Sequence, residues 1–265
     1  MHRVPSYTHV HPTAESERLT NQFNDDWAWE KTTLENMGLH INAPERMRIL
    51  SYGCGVGVDA ATLFQEGYAP HVEGWDTSAK AVQKATQCYG HSQLIFRQVD
   101  LVHGDAPIDI PGFDFIYLRL VLQHIPALSI LKLLEKCKDL LNDGGYLVIH
   151  DTDRFKDYIT PSSHEFNLIL NRVCDYMARC GNNPRIGSMA TQLFAELNLK
   201  NVQAETIELQ ANFTKTRSDL SYAENIIDVF RNQQLIPERL WAQACSNEIS
   251  DFNRTSLRFI TVGQK

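Results

Sequence analysis

The stretch RILSYGCGVGVDAATLFQEGYAPHVEGWD, from Arg48 to Asp76, carries the strongest structural signal in the chain. An apolar run leads into the turn Gly53-Cys54-Gly55-Val56-Gly57, and a helical pattern follows it. A second short apolar run then ends at Asp76. A strand, a glycine turn, a helix and a second strand with an acidic end form the unit with which an open parallel sheet binds the adenosine part of a cofactor.

The spacing of the glycines separates two classes of cofactor. A dinucleotide-binding turn reads G-x-G-x-x-G, and its third glycine position holds Val58 in this chain. Asp59 follows in the first helical turn, where a carboxylate suits the helix dipole but would repel a pyrophosphate. S-adenosylmethionine carries an adenosine, a sulfonium and an ammonium, and it has no phosphate. The turn therefore favours this cofactor, and Asp76 lies where the ribose hydroxyls need an acceptor.

Strand and helix patterns alternate along the rest of the chain, which is typical of a doubly wound parallel sheet. Right-handed crossovers would place the carboxyl ends of the parallel strands at one edge. Further strands are predicted at 94–99, 113–118, 146–149, 202–209 and 257–262, and helices at 16–38, 162–180, 189–197, 219–232 and 237–252. The boundary between helix and strand near residue 145 is placed at Gly144-Gly145.

Five segments in the expected order resemble motifs of class I S-adenosylmethionine-dependent methyltransferases of the small-molecule type. ILSYGCGVG resembles the first motif, VEGWDTS the ribose-binding strand and FRQVDL the adenine-side motif. FDFIYLRLVLQHIP and LLNDGGYLVIHD resemble the fourth and fifth strands, while ESERLTNQF and VGQK resemble the flanks of the core. The resemblance implies methyl transfer to a small-molecule acceptor. It also implies an α/β, Rossmann-like, doubly wound and mostly parallel seven-stranded sheet, with an N-terminal helix and a helical cap insertion before the last strand.

The resemblance also implies a set of cofactor-binding residues. Asp76 would accept from the ribose hydroxyls, Asp100 from the adenine amino group, and Leu101 would supply a backbone amide and apolar cover. Arg119 would meet the carboxylate of the cofactor, and Gln22 lies on the helix expected across the mouth of the site. The set is completed by Thr77 beside the adenine and by the backbone of Gly53, Cys54 and Gly55 beside the methionine part.

Ser51 departs from the pattern of the family, which usually has Asp or Glu at this position to anchor the amino end of the cofactor. Serine offers no charge, so either the affinity falls or another group accepts the ammonium. No catalytic residue is assigned, because methyl transfer needs a general base only when the acceptor holds a proton of high pKa. The side chains available at the strand ends for that role are His124, His150, Asp151 and Asp153. No metal-binding spacing is present in the sequence.

The chain of 265 residues is interpreted as a single methyltransferase domain, residues 1–265. It divides into an N-terminal arm and helix (1–38), a cofactor-binding half (40–151) and an acceptor-side half (152–265) with a helical insertion at 211–253. The net charge of −7 argues against nucleic-acid binding. Six cysteines without a C-x-x-C pair, no apolar run long enough for a membrane span and no signal peptide indicate a cytoplasmic protein without a membrane partner. The oligomeric state stays open between monomer and homodimer.

Two other functions remain possible at this point. A catalytically silent module that binds S-adenosylmethionine is favoured by Ser51, and a nucleotide-dependent oxidoreductase is opposed by Val58 and Asp59. Enzymes that methylate nucleic-acid bases often carry an N-P-P-Y-like loop after the fourth strand. Here that loop reads Arg119-Leu120-Val121, so a small-molecule acceptor is preferred.

Overall fold

The computed structural model describes residues 12–38, 46–108, 110–160, 164–212 and 253–265. In these ranges the α-helices and strands alternate as the sequence patterns predict. The helices are α1 (Pro12–Asn36), α2 (Val58–Gln65), α3 (Ala79–Tyr89), α4 (Ala127–Leu140), α5 (His164–Arg179) and α6 (Ile186–Glu196). The strands are β1 (Arg48–Tyr52), β2 (His71–Asp76), β3 (Leu94–Gln98), β4 (Phe113–Arg119), β5 (Leu141–Thr152), β6 (Tyr158–Thr160), β7 (Lys200–Asn212) and β8 (Asn253–Gln264).

The strands form one sheet in which β1 to β5 are parallel and follow the spatial order β3-β2-β1-β4-β5. Strand β8 continues the sheet antiparallel to β5 and also pairs with β6 and β7. The chain moves outward from β1 to β3 and then returns to the other side of β1, so the strand order reverses between β1 and β4. Open α/β sheets bind their ligands beyond the carboxyl ends of the strands at such a reversal. The predicted Rossmann-like, doubly wound fold is confirmed.

Successive residues of the central strands point to opposite faces of the sheet and supply two separate cores. Leu50 and Ile116 pack with α4 and α6 on one face, whereas Ile49 and Phe115 pack with α1, α2 and α3 on the other. All four side chains are almost completely buried. Burial of each such side chain contributes about 1.5 to 3 kcal/mol, so the two cores hold the strand ends in fixed positions.

Two features of the second half of the chain differ from the sequence-based prediction. Strand β5 begins at Leu141 rather than at residue 146, because Leu141 is buried and pairs with Phe113 across a register shift, and Gly144 lies inside the strand with φ of +79°. The three-residue strand β6 extends the sheet beyond the predicted seven strands. The helices predicted at 219–232 and 237–252 lie outside the described residues, as does most of the predicted insertion at 211–253.

Helix α1 lies along the sheet with a stripe that mixes apolar and acidic side chains. Phe23, Asp26, Glu30 and Leu34 recur at helical spacing and are all buried. Buried carboxylates are rare unless they are paired, so the stripe indicates cationic partners on the sheet. Among the helices that the structure describes, none combines the length and the apolar composition needed to cross a bilayer.

Candidate functional site

The glycine turn between β1 and α2 lies at the strand reversal. The N–H groups of Gly53 and Cys54 both donate to the carbonyl of Trp75, at 2.6 and 3.1 Å, and so attach the turn to β2. Gly53 has φ of +75°, and a side chain there would collide with Val121 in the loop after β4. Gly55 has φ of +54°, and a Cβ at this position would face open space. The turn is therefore packed on one side and open on the side where a ligand can approach the backbone.

Asp76, at the carboxyl end of β2, is held against this turn. Its Oδ2 accepts from the N–H of Gly55 at 2.9 Å, and its Oδ1 accepts from the N–H of Ser78 at 2.8 Å. Because a carboxylate oxygen has two lone pairs, each oxygen can still accept another hydrogen bond. The half-buried carboxylate is thus fixed in orientation next to the open side of Gly55. The exposed Thr77 follows it directly, and the assigned roles of both residues stay predictions.

Asp100 and Leu101 follow β3 at the same edge of the sheet. Asp100 Oδ1 accepts from the N–H groups of Val102 and His103 at 2.9 and 3.1 Å, and Oδ2 lies 2.9 Å from His103 Nδ1. Burial alone would raise the pKa of Asp100, but these hydrogen bonds lower it overall. Leu101 is fully buried, and its N–H donates to the hydroxyl of Tyr52 at 3.1 Å. The amide predicted to contact the adenine already has a partner in the protein.

Ser51 and Asp59 form a buried pair at the base of the turn. The Ser51 hydroxyl donates to Asp59 Oδ2 at 2.5 Å, and the N–H of Ala60 donates to Oδ1 at 2.7 Å. Burial raises the pKa of Asp59 to about 6, although both hydrogen bonds oppose the shift. Burial together with the charges of Asp59 and Asp76 also raises the pKa of the Cys54 thiol. The carboxylates of Asp59 and Asp76 are therefore both close enough to act on the Cys54 thiol.

Arg119 ends β4 and binds helix α1. Its Nε donates to Glu30 Oε1 at 2.8 Å, and Nη2 donates to Asp26 Oδ2 at 2.8 Å. The guanidinium also lies over the ring of Phe23, 5.0 Å from its centroid. The side chains of Arg119 and Asp26 are each 8% exposed and that of Glu30 is 0% exposed. A contact between Arg119 and the carboxylate of a cofactor stays a prediction, and it would have to share the guanidinium with these two acids.

Two residues of the sheet extend this group, which we call the Arg119 cluster (Asp26, Glu30, Tyr117, Arg119 and His150). The Tyr117 hydroxyl donates to Glu30 Oε2 at 2.9 Å, and His150 Nδ1 lies 2.9 Å from Glu30 Oε1. Burial by itself would raise the pKa of Glu30, but Arg119 and His150 hold it at about 2. For Asp26, burial outweighs the nearby arginines and raises the pKa. The cluster fastens α1 across the strand ends.

The remaining candidates occupy different environments. Gln22 is half-buried and lies one helical turn before Asp26 on α1, and its predicted contact with the cofactor stays a prediction. His150, Asp151 and Asp153 are buried, whereas His124 is exposed after β4. Burial raises the pKa of Asp151 despite hydrogen bonds from Thr152 and Gln123. Within the described part of the chain, no three His, Cys, Asp or Glu side chains are placed to hold a metal ion.

The structure gives four residues a part in this site that the sequence analysis did not assign: Asp26, Glu30, Tyr52 and Asp59. Asp26 and Glu30 carry a detectable signal, because two acids interrupt an otherwise apolar helical stripe. In the sequence, Asp59 indicates only that a pyrophosphate would be repelled. Its hydrogen bond with Ser51 depends on how α2 packs against β1. The hydroxyl of Tyr52 gives no sequence signal, since its partner amide at Leu101 follows a different strand.

More than half of the chain matches known methyltransferases. The family described as methyltransferase domain matches residues 28–204, which is more than half of the chain. Phosphoethanolamine N-methyltransferase of Plasmodium falciparum is 27% identical over 151 residues, covering 53% of this chain and 55% of that protein. Indolepyruvate C-methyltransferase of Streptomyces griseus is 29% identical over 154 residues, covering 56% and 45%. The chain spans about half the length of these curated relatives.

A solved structure from Bacillus halodurans has the same fold, with a TM-score of 0.60 at 12% identity over 88% of this chain and 99% of that one. At this identity the likeness concerns the fold alone. The residues at the strand reversal also fit S-adenosylmethionine, because Gly55 leaves open space beside its backbone and its N–H donates to the carboxylate of Asp76. The family match over residues 28–204, which is more than half of the chain, shows that the chain belongs to the methyltransferase domain family.

Proposed function

We propose that this enzyme transfers the methyl group of S-adenosylmethionine to a small-molecule acceptor. The observation that supports the proposal best is the charge around the glycine turn. The carboxylates of Asp59 and Asp76 flank the turn, while the guanidinium of Arg119 is paired with two acids of its own. Such a site suits a cationic ligand and disfavours a pyrophosphate, since close like charges repel each other strongly in a partly buried crevice.

When it is bound, S-adenosylmethionine supplies an electrophilic methyl group on a positively charged sulfur. The residues of the chain contribute by position. Asp76 is oriented by two backbone N–H groups to accept from a ribose, and Gly55 leaves space for the ligand beside its backbone. Leu101 is fully buried and belongs to the hydrophobic core on one face of the sheet. Holding the reacting groups in line can lower the barrier by about 7 to 11 kcal/mol, so an acid–base triad is not required.

The names of the two curated relatives support the class of acceptor. They specify phosphoethanolamine and indolepyruvate, which are both small molecules. One relative is an N-methyltransferase and the other a C-methyltransferase, so their names do not identify which atom of the acceptor takes the methyl group. We also propose that the described parts of the acceptor-side half (152–265) lie over the methyl group, because β5 and β7 end, and β8 begins, at the edge of the sheet that carries the cofactor crevice.

Transfer of a labelled methyl group tests the proposed function. The protein is incubated with methyl-labelled S-adenosylmethionine and, separately, with metabolite, nucleic-acid and protein fractions. We expect protein-dependent labelling of a compound in the metabolite fraction. Labelling confined to nucleic acid or protein would contradict the proposal, and tight cofactor binding without any transfer would favour the silent binding module.

Replacing Asp76 by alanine should weaken S-adenosylmethionine binding by about 1.5 to 3 kcal/mol, the range for hydrogen bonds to a charged group. Isothermal titration calorimetry measures the effect, and a thermal melt checks that the variant folds. Asp114→Ala is a matched control, because Asp114 also accepts two hydrogen bonds, from Arg48 and Asn142, but lies at the opposite end of the sheet. Equal affinities of wild type and Asp76→Ala would refute the ribose assignment.

A further inference from the structure

The carboxylate of Asp59 is buried beside the glycine turn without a cation of its own. Its two hydrogen bonds come from the Ser51 hydroxyl and the Ala60 N–H, which are both neutral donors. Within the described ranges, no lysine, arginine or histidine nitrogen forms an ion pair with Asp59 at 4.0 Å or less. Buried charges are normally paired, so a cation that completes the pair is expected to arrive with a ligand.

The nearest arginine in the sheet does not fill this role. Arg119 affects Asp59 electrostatically, but its hydrogen bonds go to Glu30 and Asp26. Glu30 adds a further negative charge near Asp59 and opposes the effect of Arg119. The cofactor itself carries an ammonium, which is a cation with three N–H donors, and a sulfonium, which has none. Of these two cations, only the ammonium can satisfy a carboxylate by hydrogen bonding.

The position of Asp59 relative to Asp76 assigns the ends of the cofactor. Asp76 is the last residue of β2 and accepts from the N–H of Gly55, where the ribose is expected. Asp59 lies in the first turn of α2 and accepts from the hydroxyl of Ser51 in β1. Both charges act on the Cys54 thiol of the turn. The two carboxylates thus come from different elements, and with Asp76 assigned to the adenosyl end, Asp59 is the carboxylate left for the amino-acid end.

We propose that Asp59, oriented by the Ser51 hydroxyl, binds the ammonium group of S-adenosylmethionine. In this arrangement the helix supplies the carboxylate that β1 lacks at Ser51, and the serine has become a positioning residue. The raised pKa of Asp59 agrees with a carboxylate that gains its cation only from the ligand. The inference depends on the cofactor of the family and not on the identity of the methyl acceptor.

Calorimetry with two ligands tests the assignment. In Asp59→Asn the amide oxygen can accept from the Ala60 N–H and the amide NH2 can donate to the Ser51 oxygen, so the size of the side chain is kept and the charge is removed. We expect this variant to bind S-adenosylmethionine about 10- to 100-fold more weakly than wild type, as for the loss of a charge-assisted hydrogen bond. Binding of 5′-methylthioadenosine, which keeps the adenosyl group and lacks the amino-acid part, should be unchanged. Asp76→Ala should weaken the binding of both ligands.

A second variant makes the test independent of general structural damage. Adding Ser51→Asp to Asp59→Asn returns a carboxylate to the same place from β1 and should restore most of the lost affinity for S-adenosylmethionine. Equal weakening of both ligands by Asp59→Asn, or unchanged affinity for S-adenosylmethionine, would overturn the assignment. Both readouts measure binding, so a failure to find the acceptor would leave this result intact and would affect only the proposed function.

Discussion

Replacing Arg119 by methionine should lower the free energy of unfolding by about 3 to 5 kcal/mol, the range for breaking a buried ion pair from one side. The methionine fills similar space, but it leaves Glu30 and Asp26 buried without their shared cation, at 0% and 5% exposure. Among the described residues, the ion-pair partners that remain are His150 Nδ1 at 2.9 Å from Glu30 and Arg258 Nε at 3.9 Å from Asp26, so both carboxylates either remain charged with less compensation or take up protons. Guanidinium denaturation at neutral pH measures the loss.

The control for this prediction is a partly exposed ion pair made by the same helix. Lys31 lies 2.7 Å from Glu66, and the two side chains are 33% and 31% exposed. Exposed pairs contribute little to stability, so Lys31→Met should leave the denaturation midpoint almost unchanged. Adding Glu30→Gln to Arg119→Met should recover part of the lost free energy of unfolding, because it removes one of the two carboxylates that no longer pair with Arg119. If Arg119→Met were as stable as wild type, the Arg119 cluster could not be what fastens α1 to the sheet.

Replacing Asp59 by asparagine should raise the free energy of unfolding of the ligand-free protein by about 3 kcal/mol above pH 6. Burial raises the pKa of Asp59 from 3.8 to about 6, so the folded state holds this proton more tightly than the unfolded state does. Ionised Asp59 therefore destabilises the fold, and the stability of the wild type falls as the pH rises from about 4 to about 6. The gain from Asp59→Asn should be complete above this window and should vanish below it. Denaturation curves at pH 4, 5, 6 and 8 give the profile.

The exposed Asp143 provides the comparison for this profile. Asp143→Asn removes the same charge at the surface and should change stability little at any of these pH values. A gain of equal size from Asp59→Asn at pH 4 and pH 8 would show that packing, and not ionisation, is responsible. Together with the binding experiment, a positive result would place Asp59 among the residues that reduce stability in exchange for function.

The sequence predicted the cofactor half of the fold well because its signals are local. About ten consecutive residues are enough to recognise each of these features: the glycine turn, the strand that ends at Asp76 and the apolar runs of β3 and β4. The parallel order then follows from general rules of handedness and connection. The start of β5 was predicted less well, because Gly144 resembles a turn in the sequence and only the pairing of Leu141 with Phe113 shows that the strand begins earlier.

The partners of the charged residues could not be predicted in the same way. Arg119 binds Glu30 and Asp26, which are 89 and 93 positions away, and their meeting depends on how α1 crosses the sheet. Ser51 and Asp59 are only eight positions apart, yet their contact requires the direction of α2 after the turn. A sequence pattern identifies which strand ends meet, but the pairing of side chains is set by the packing of helices against that edge.

The ion pairs of Arg119 with Asp26 and Glu30 also bear on where the N-terminus of the chain can be truncated. The family match begins at residue 28, which lies between Asp26 and Glu30. A chain that begins at residue 28 keeps Glu30 but lacks Asp26. A chain that begins at residue 40 lacks both of these acids. Removal of the first helix would leave the guanidinium of Arg119 without its two acidic partners, so we expect a trimmed or fused version to need residues 26 and 30.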